Sequence, residues 1–248
     1  MRVLLLSDIH SNFEALTAVV RDARGRGPVD AIWNLGDTVG YGPDPGQCVR
    51  FLRDEGAVSV AGNHDLGAIG RISLSDFTPY AAAACRWNGS QITQEEAAFL
   101  GSLPLRVEEG LFTLVHGSPR DPVWEYLFSE DTARQNFPLF STPFCLVGHT
   151  HVPLAFALED SDGRQRCRGA LLAPDVPLKL EEGTRLIYNP GGVGQPRDGD
   201  PRACYALYDG EAQTITHHRA PYDIAATQQR MTAAGLPQYL VERLAAGR

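Results

Sequence analysis

Cysteine is sparse in this chain of 248 residues: Cys48, Cys85, Cys145, Cys167 and Cys204 are five in number and far apart. An odd count with no C-x-x-C pair argues against a disulfide framework and against a zinc site closed by thiolates, so a reducing, cytoplasmic setting is expected. Lysine is almost missing, Lys179 being the only one. The positive charge is therefore arginine, whose planar fork suits bidentate contacts to carboxylate or phosphate. Net positive charge is lacking as well, with 22 Lys and Arg against 30 Asp and Glu and a formal charge of −8. Such a chain has no general basic surface to hold a nucleic-acid backbone by counterion release, although a local site for a small anion remains open to it. Long apolar runs are absent too. Met1-Arg2 is followed only by Val3 to Leu6 before Ser7-Asp8, short of a signal segment, and nothing approaches the ~18 residues of a membrane span. A soluble, unexported protein without membrane contact is expected. No internal repeat or low-complexity stretch is present.

Hydrophobic residues make up 43% of the chain and charged residues 21%, the balance of a globular protein, and the length suits one domain over residues 1–248. Arg2 to Leu6 reads as a buried strand that stops at Asp8. Asn12 to Arg26 reads as a helix with apolar positions at Phe13, Leu16, Val19, Val20 and Ala23. A strand over Ala31 to Leu35, a helix over Gln47 to Glu55 and a strand over Ala57 to Ala61 continue the rhythm. Residues of about 66–104 turn helical and read as an insertion beside the strand ends. Leu111 to Val115 and Phe144 to Val147 are further strands. Leu154 to Leu158, Arg185 to Tyr188, Cys204 to Tyr208 and Thr214 to His218 read as strands of a second sheet, and helices are expected over 222–234 and 238–246. Alternation of this kind specifies a layered α/β fold with its site along one edge of the strands.

Each of the early strands ends in a residue that can bind metal or move protons. His10, His64, His116, His149 and His151 all lie at or just beyond expected strand ends, beside Asp, Asn or Gly. Imidazole and carboxylate donors without cysteine suit a catalytic centre of first-row metals such as Mn, Fe, Zn or Ni, not a closed structural zinc site. Asp8-x-His10 and His149-x-His151 place side chains two apart, on one face of an extended segment, so each pair could reach one metal region.

Asp8-x-His10, Gly36-Asp37, Gly62-Asn63-His64-Asp65, His116 and Gly148-His149-x-His151 together resemble, in order and spacing, the motif series of the calcineurin-like metallophosphoesterases. The segment Asn189-Pro190-Gly191-Gly192-Val193-Gly194 with Pro196-Arg197-Asp198 resembles bacterial members. The resemblance implies an α/β fold of two mixed sheets face to face, flanked by helices. It implies two transition-metal ions, one held by Asp8, His10 and His151, the other by Asn63, His116 and His149, with Asp37 bridging. It implies hydrolysis of a small phosphoester, a phosphodiester or nucleotide, by a metal-bridging hydroxide, with His64 as general acid or charge stabiliser at the leaving oxygen. His64, following Asn63 in an extended turn, is expected to face the substrate.

The chain departs from the protein-phosphatase branch, which carries Asp and Arg where Gly40 and Tyr41 stand. That loss favours diesters or nucleotides over phosphoproteins and leaves a phosphomonoesterase, a protein phosphatase or a non-catalytic metal-binding scaffold as alternatives. Arg120 and Arg197 are candidates to supply a phosphate clamp. Asn12 and Tyr41 are candidates to touch substrate, although a helix start and a turn aromatic are first structural. The Asn189 to Gly194 turn is read as a backbone device and Phe77, Tyr80, Trp87 and Phe99 as core. Glu95-Glu96 and Glu181-Glu182 are read as solvated pairs. His217-His218 is read as one inward and one outward side chain of a strand, neither functional.

Overall fold

The computed structural model describes residues 1–161 and 164–248. Its first part runs β1 (Arg2–Leu6), α1 (Phe13–Gly25), β2 (Ala31–Asn34), α2 (Pro45–Asp54) and the short β3 (Val58–Ser59). Helices α3 (Asn63–Ala68), α4 (Pro79–Gln91) and α5 (Gln94–Ser102) follow. Next come β4 (Arg106–Glu109), β5 (Phe112–Val115), α6 (Glu130–Asn136), β6 (Phe144–Leu146), β7 (Pro153–Ser161) and β8 (Arg164–Leu171). The chain closes with β9 (Pro177–Lys179), β10 (Arg185–Pro190), β11 (Ala203–Asp209), β12 (Thr214–Ala220), α7 (Ile224–Ala233) and α8 (Gln238–Leu244).

Two mixed sheets of six strands result, in the orders β3-β2-β1-β11-β12-β9 and β4-β5-β6-β10-β7-β8. The unbroken apolar run of β1 has its cause in this layering. Val3 and Leu5 face the second sheet and pack with Trp33, Phe112, Leu114, Phe144 and Tyr188. Leu4 and Leu6 face outward onto Leu16, Val19, Val20 and Ala23 of α1. A strand covered on both faces cannot alternate polar and apolar residues. On the far side of the second sheet Val115, Cys145, Val147 and Ile187 pack against Ala133, Phe137 and Phe140. The molecule is therefore layered helix, sheet, sheet, helix, and all five cysteines are free and buried in it. Among the described residues no helix is long and apolar enough to cross a membrane.

Three expectations are corrected. β11 and β12 do not join the second sheet: β11 pairs antiparallel with β1, Val3 opposite Tyr208, and so completes the first sheet, while β5 and β6 belong to the second. His217 and His218 are both buried, because β12 lies between β11 and β9 and is covered on both faces. His218 hydrogen-bonds Asp175 through Nδ1 at 2.6 Å. Glu96 is buried and not solvated; it closes a capping box with Thr93 at the start of α5 and pairs with Arg50. The stretch expected as a helical insertion holds α4 and α5, and α3 begins three residues earlier than expected, at Asn63.

α7 and α8 fold back over this stretch. Met231, Leu240, Val241 and Leu244 pack with Ala81 and Ala84 of α4 and with Tyr41. The turn that carries Tyr41 is thus fixed from both sides, and Asn88 of α4 completes the attachment. Its Oδ1 accepts from the Gly40 N–H and from Ser11 Oγ, and its Nδ2 donates to the carbonyls of Gly42 and Ala84. All the hydrogen-bonding capacity of this buried amide is spent, three bonds on the loops around the site and one on its own helix.

Candidate metal centre

β1 and β2 run parallel, as do β5 and β6, so the loops after Leu6, Asn34, Val115 and Leu146 open at the same ends of their sheets. The chain turns sharply there. Asp8, His10, Ser11, Asp37, Tyr41, His149 and His151 all have positive φ, between 48° and 65°. A non-glycine residue in this region costs roughly 1–2 kcal/mol, and a cluster of them marks a functional site. The expectation of extended backbone at Asp8-x-His10 and His149-x-His151 is therefore corrected. The paired side chains converge because left-handed residues at Asp8 and His10, and at His149 and His151, curl the backbone around them. Cross-links between the loops hold these conformations: Asp8 N–H to Gly36 O at 3.1 Å, His10 N–H to Asp37 O at 2.9 Å, and Gly194 N–H to Asp8 O at 2.9 Å.

Inside this frame the donor atoms meet. His10 Nδ1 donates to Val39 O at 3.1 Å, His116 Nδ1 to Leu35 O at 2.8 Å and His151 Nδ1 to Gln195 O at 2.6 Å. A carbonyl only accepts, so each ring carries its hydrogen on Nδ1 and turns Nε2 inward. His10 Nε2 then lies 3.1 Å from His151 Nε2, and Asp8 Oδ1 lies 3.1 Å from the latter and 3.7 Å from the former. On the other side His116 Nε2 lies 3.0 Å from His149 Nδ1, 3.2 Å from Asn63 Oδ1 and 3.3 Å from Asp37 Oδ2. Asp37 Oδ2 is also 3.6 Å from His10 Nε2 and stands between the two groups. Lone pairs facing one another in a buried site are unfavourable unless a positive charge sits among them.

The electrostatics agree. Burial alone would keep His116 neutral, yet the carboxylate of Asp37 holds it up at about 9. Burial would raise Asp8 and Asp37, but the surrounding imidazoles keep both below the usual carboxylate range. Burial carries His10 well below its ordinary value and His149 down to about 3, so these rings offer lone pairs at neutral pH. Nitrogen and oxygen donors of this kind suit divalent transition metals, and three groups converge: Asp8, His10 and His151; His10, Asp37 and His64; Asp37, His116 and His149. The residues present fit such ions.

The comparisons with known proteins decide the family. The family model described as the calcineurin-like phosphoesterase superfamily domain matches residues 1–213. The chain belongs to the calcineurin-like phosphoesterase superfamily. It is 50% identical to a metallophosphoesterase from Sphaerobacter thermophilus of known structure, covering 100% of this chain and 99% of that one at a TM-score of 0.89. An uncharacterised protein of Methanocaldococcus jannaschii is 40% identical over 99% of this chain and 98% of its own. The symmetrical bis(5′-nucleosyl)-tetraphosphatase of Aromatoleum aromaticum is 32% identical over 126 residues, which is 47% of this chain and 44% of that enzyme. Two mixed six-stranded sheets flanked by helices are the metallophosphoesterase fold, as the sequence resemblance implied.

Of the residues the sequence singled out in this phosphoesterase, Asp8, His10, Asp37, Asn63, His116, His149 and His151 are brought together. His64 lies beside them, its ring 4.8 Å from that of His10. It does not sit in an extended turn: Asn63 and His64 open α3, whose start is tied down by Asp65, accepting from Gly62 N–H and Val39 N–H at 3.0 Å each. Tyr41 and Arg197 line the pocket over the centre. Asn12 does not; its Oδ1 caps α1 at Ala15 N–H and accepts from Thr227, and its Nδ2 holds Gly194 O. Arg120 does not either. Its guanidinium is held by Glu125 and Gln135, and none of the three lines the pocket.

Other lining residues escaped sequence reasoning. Phe77, read as core, is half-buried and sets its ring edge-to-face against His64 at 5.0 Å. Trp124 meets Phe77 at 5.2 Å, and Tyr126 stacks on His149 with centroids 3.9 Å apart. Trp124 and Tyr126 lie in an irregular segment between β5 and α6, where no periodicity points to them. The Asn189 turn has the structural role expected, Asn189 Nδ2 donating to Gly148 O at 2.6 Å, and it also leads to Gln195, whose carbonyl orients His151.

Proposed function

We propose that this chain is a dinuclear metal-dependent phosphoesterase of small diester or nucleotide substrates. Asp8, His10 and His151 would hold one cation, Asn63, His116 and His149 the other, and Asp37 both. The observation that carries this reading is the convergence of these donors, with the Nε2 atoms of His10, His116 and His151 each turned inward by a backbone carbonyl behind Nδ1. Divalent cations held there would lower the pKa of water and draw charge from phosphoryl oxygens.

The remaining roles fall to this chain's own side chains. Arg197 has no carboxylate partner among the described residues; its Nη2 reaches Tyr41 Oη at 3.3 Å and Gln195 Oε1 at 3.2 Å, and Tyr126 lies beside it. It is available to grip a phosphoryl oxygen. His64 stands in the same pocket with Nδ1 unpartnered, and burial holds it at about 4. It therefore begins neutral and can hold the leaving oxygen through an N–H hydrogen bond that strengthens as negative charge develops there. Tyr41, Phe77, Trp124 and Tyr126 wall the pocket and keep bulk water from the reacting centre.

Arg197 also favours a second reading, phosphomonoester hydrolysis, since it brings a guanidinium to the pocket despite Tyr41. Metal-stripped protein titrated with Mn²⁺ and assayed on bis-p-nitrophenyl phosphate beside p-nitrophenyl phosphate separates the two. Metal-restored turnover that prefers the diester supports the first reading. Preference for the monoester transfers the conclusion to the second, and no turnover of either ester with metals bound would favour a binding scaffold.

A further inference from the structure

The pocket over the metal centre is small, about 90 Å³, whereas sites that enclose a whole organic ligand run to roughly 300–1,000 Å³. It admits a phosphoryl group and leaves the rest of a substrate outside. What the substrate would meet outside is aromatic. Tyr126, stacked on His149, is 46% exposed, and Phe128 lies parallel to it, 13° between ring planes and 5.7 Å between centroids, with 57% exposure. Leu127 between them is fully buried, so it anchors the segment and turns both rings outward. Phe128 then opens a groove of about 290 Å³ walled by Leu154, Phe156 and Leu171. Among the described residues its one charged lining residue is Glu130, which accepts from the Gly169 N–H at 2.9 Å. A path thus leads from the reacting centre, over two stacked rings, into a mostly apolar groove whose described lining holds no cation.

We propose that Tyr126 and Phe128 form a stacking platform for the base of a nucleoside esterified to the scissile phosphate. This rests on the phosphoesterase reading of the site and adds what selects the substrate. The face of a base matches the exposed ring of Phe128, and stacking on aromatic side chains accepts any base.

Phe128 is the residue to change, because Tyr126 stacks on His149 whereas Phe128 stacks on Tyr126 and lines the groove. The ligands are the methylene phosphonate isosteres of adenosine 5′-monophosphate and ribose 5-phosphate, in which CH2 replaces the ester oxygen and prevents turnover. Isothermal titration into Mn²⁺-loaded protein is expected to show the adenosine compound binding at least roughly tenfold more tightly. Phe128→Ala should bring the two within about threefold, and Phe128→Tyr should restore the difference. Equal binding of both ligands by a wild-type preparation that hydrolyses bis-p-nitrophenyl phosphate overturns the platform and leaves the phosphoesterase reading standing. A ratio unmoved by Phe128→Ala overturns it equally. A preparation that binds neither ligand and hydrolyses no phosphoester defeats both readings together.

Discussion

The imidazole of His64 lies against Gly40 so closely that a β-carbon added to the glycine would come within 2.8 Å of its Cγ. Gly40 also has φ +102°, a conformation open to glycine and costly for other residues. The departure from the protein-phosphatase pattern at this position therefore makes room for the His64 ring. Gly40→Ala is expected to push His64 from its place while leaving the Asp8, His10 and His151 group intact. Turnover should fall by about a hundredfold, the order of loss that a misplacement of 1 Å produces, with metal content by elemental analysis unchanged. Wild-type turnover in Gly40→Ala would show that the position of His64 does not matter.

Removing the ring altogether separates catalysis from ligation. His64 Nδ1 has no partner, and His64 meets His10 and Asp37 as a third donor in one of the convergent groups. If it serves the leaving oxygen, His64→Ala keeps both cations and loses turnover by about 10²–10⁴, the usual contribution of a positioned proton donor. Loss of one equivalent of metal in that variant would reassign His64 to the ligand set.

The sequence showed the centre more fully than its surroundings, and the reason is physical. β1, β2, β5 and β6 are short apolar runs that break at Asp, Gly or His, because a strand covered on both faces ends where its side chains reach the open edge. Those breaks are the site. β4 with Arg106 and Glu108, β8 with Arg166 and Arg168, and β9 with Lys179 carry polar residues because they lie at or near sheet edges, and so were not legible as strands. Sheet membership of β11 and β12 depends on a pairing between Val3 and Tyr208 that no local pattern encodes. Trp124, Tyr126 and Phe128 were invisible for a related reason: an irregular segment shows no period by which one side chain can be told to face a pocket.

Away from the metal centre, His217 links stability to pH. It is 1% exposed, neither ring nitrogen has a hydrogen bond of good geometry, and burial holds it at about 4 despite the nearby Tyr205 backbone. Its folded-state value lies below the ordinary 6.5, so the unfolded chain binds a proton first as pH falls. Its contribution is fully present above about pH 6.5 and is lost on the way down to about 4. At pH 5 the loss reaches at most about 2 kcal/mol. Denaturant unfolding at pH 7 and pH 5 should show His217→Leu losing less stability than wild type over that interval. Parallel losses in the two proteins would place the charge change elsewhere.

Metal removal should also be read as a change in stability. Without a cation, His10 Nε2 faces His151 Nε2 at 3.1 Å and His116 Nε2 faces His149 Nδ1 at 3.0 Å, all in buried surroundings. Protonation of His116, favoured by Asp37, relieves one of these contacts, but His10 is held neutral by burial and cannot relieve the other in the same way. Cations that bind the folded chain at a hundred times their dissociation constant add about 2.7 kcal/mol. For a protein of this size that corresponds to a rise in Tm of roughly 5–10 °C. Calorimetry of chelator-stripped protein with and without Mn²⁺ should show such a rise. Asp37→Asn, which removes the carboxylate standing between the two groups, should reduce it by more than half while leaving the metal-free Tm within a few degrees. An identical Tm for stripped and Mn²⁺-treated wild type would mean that these converging lone pairs do not bind metal, and the phosphoesterase reading would lose the observation on which it stands.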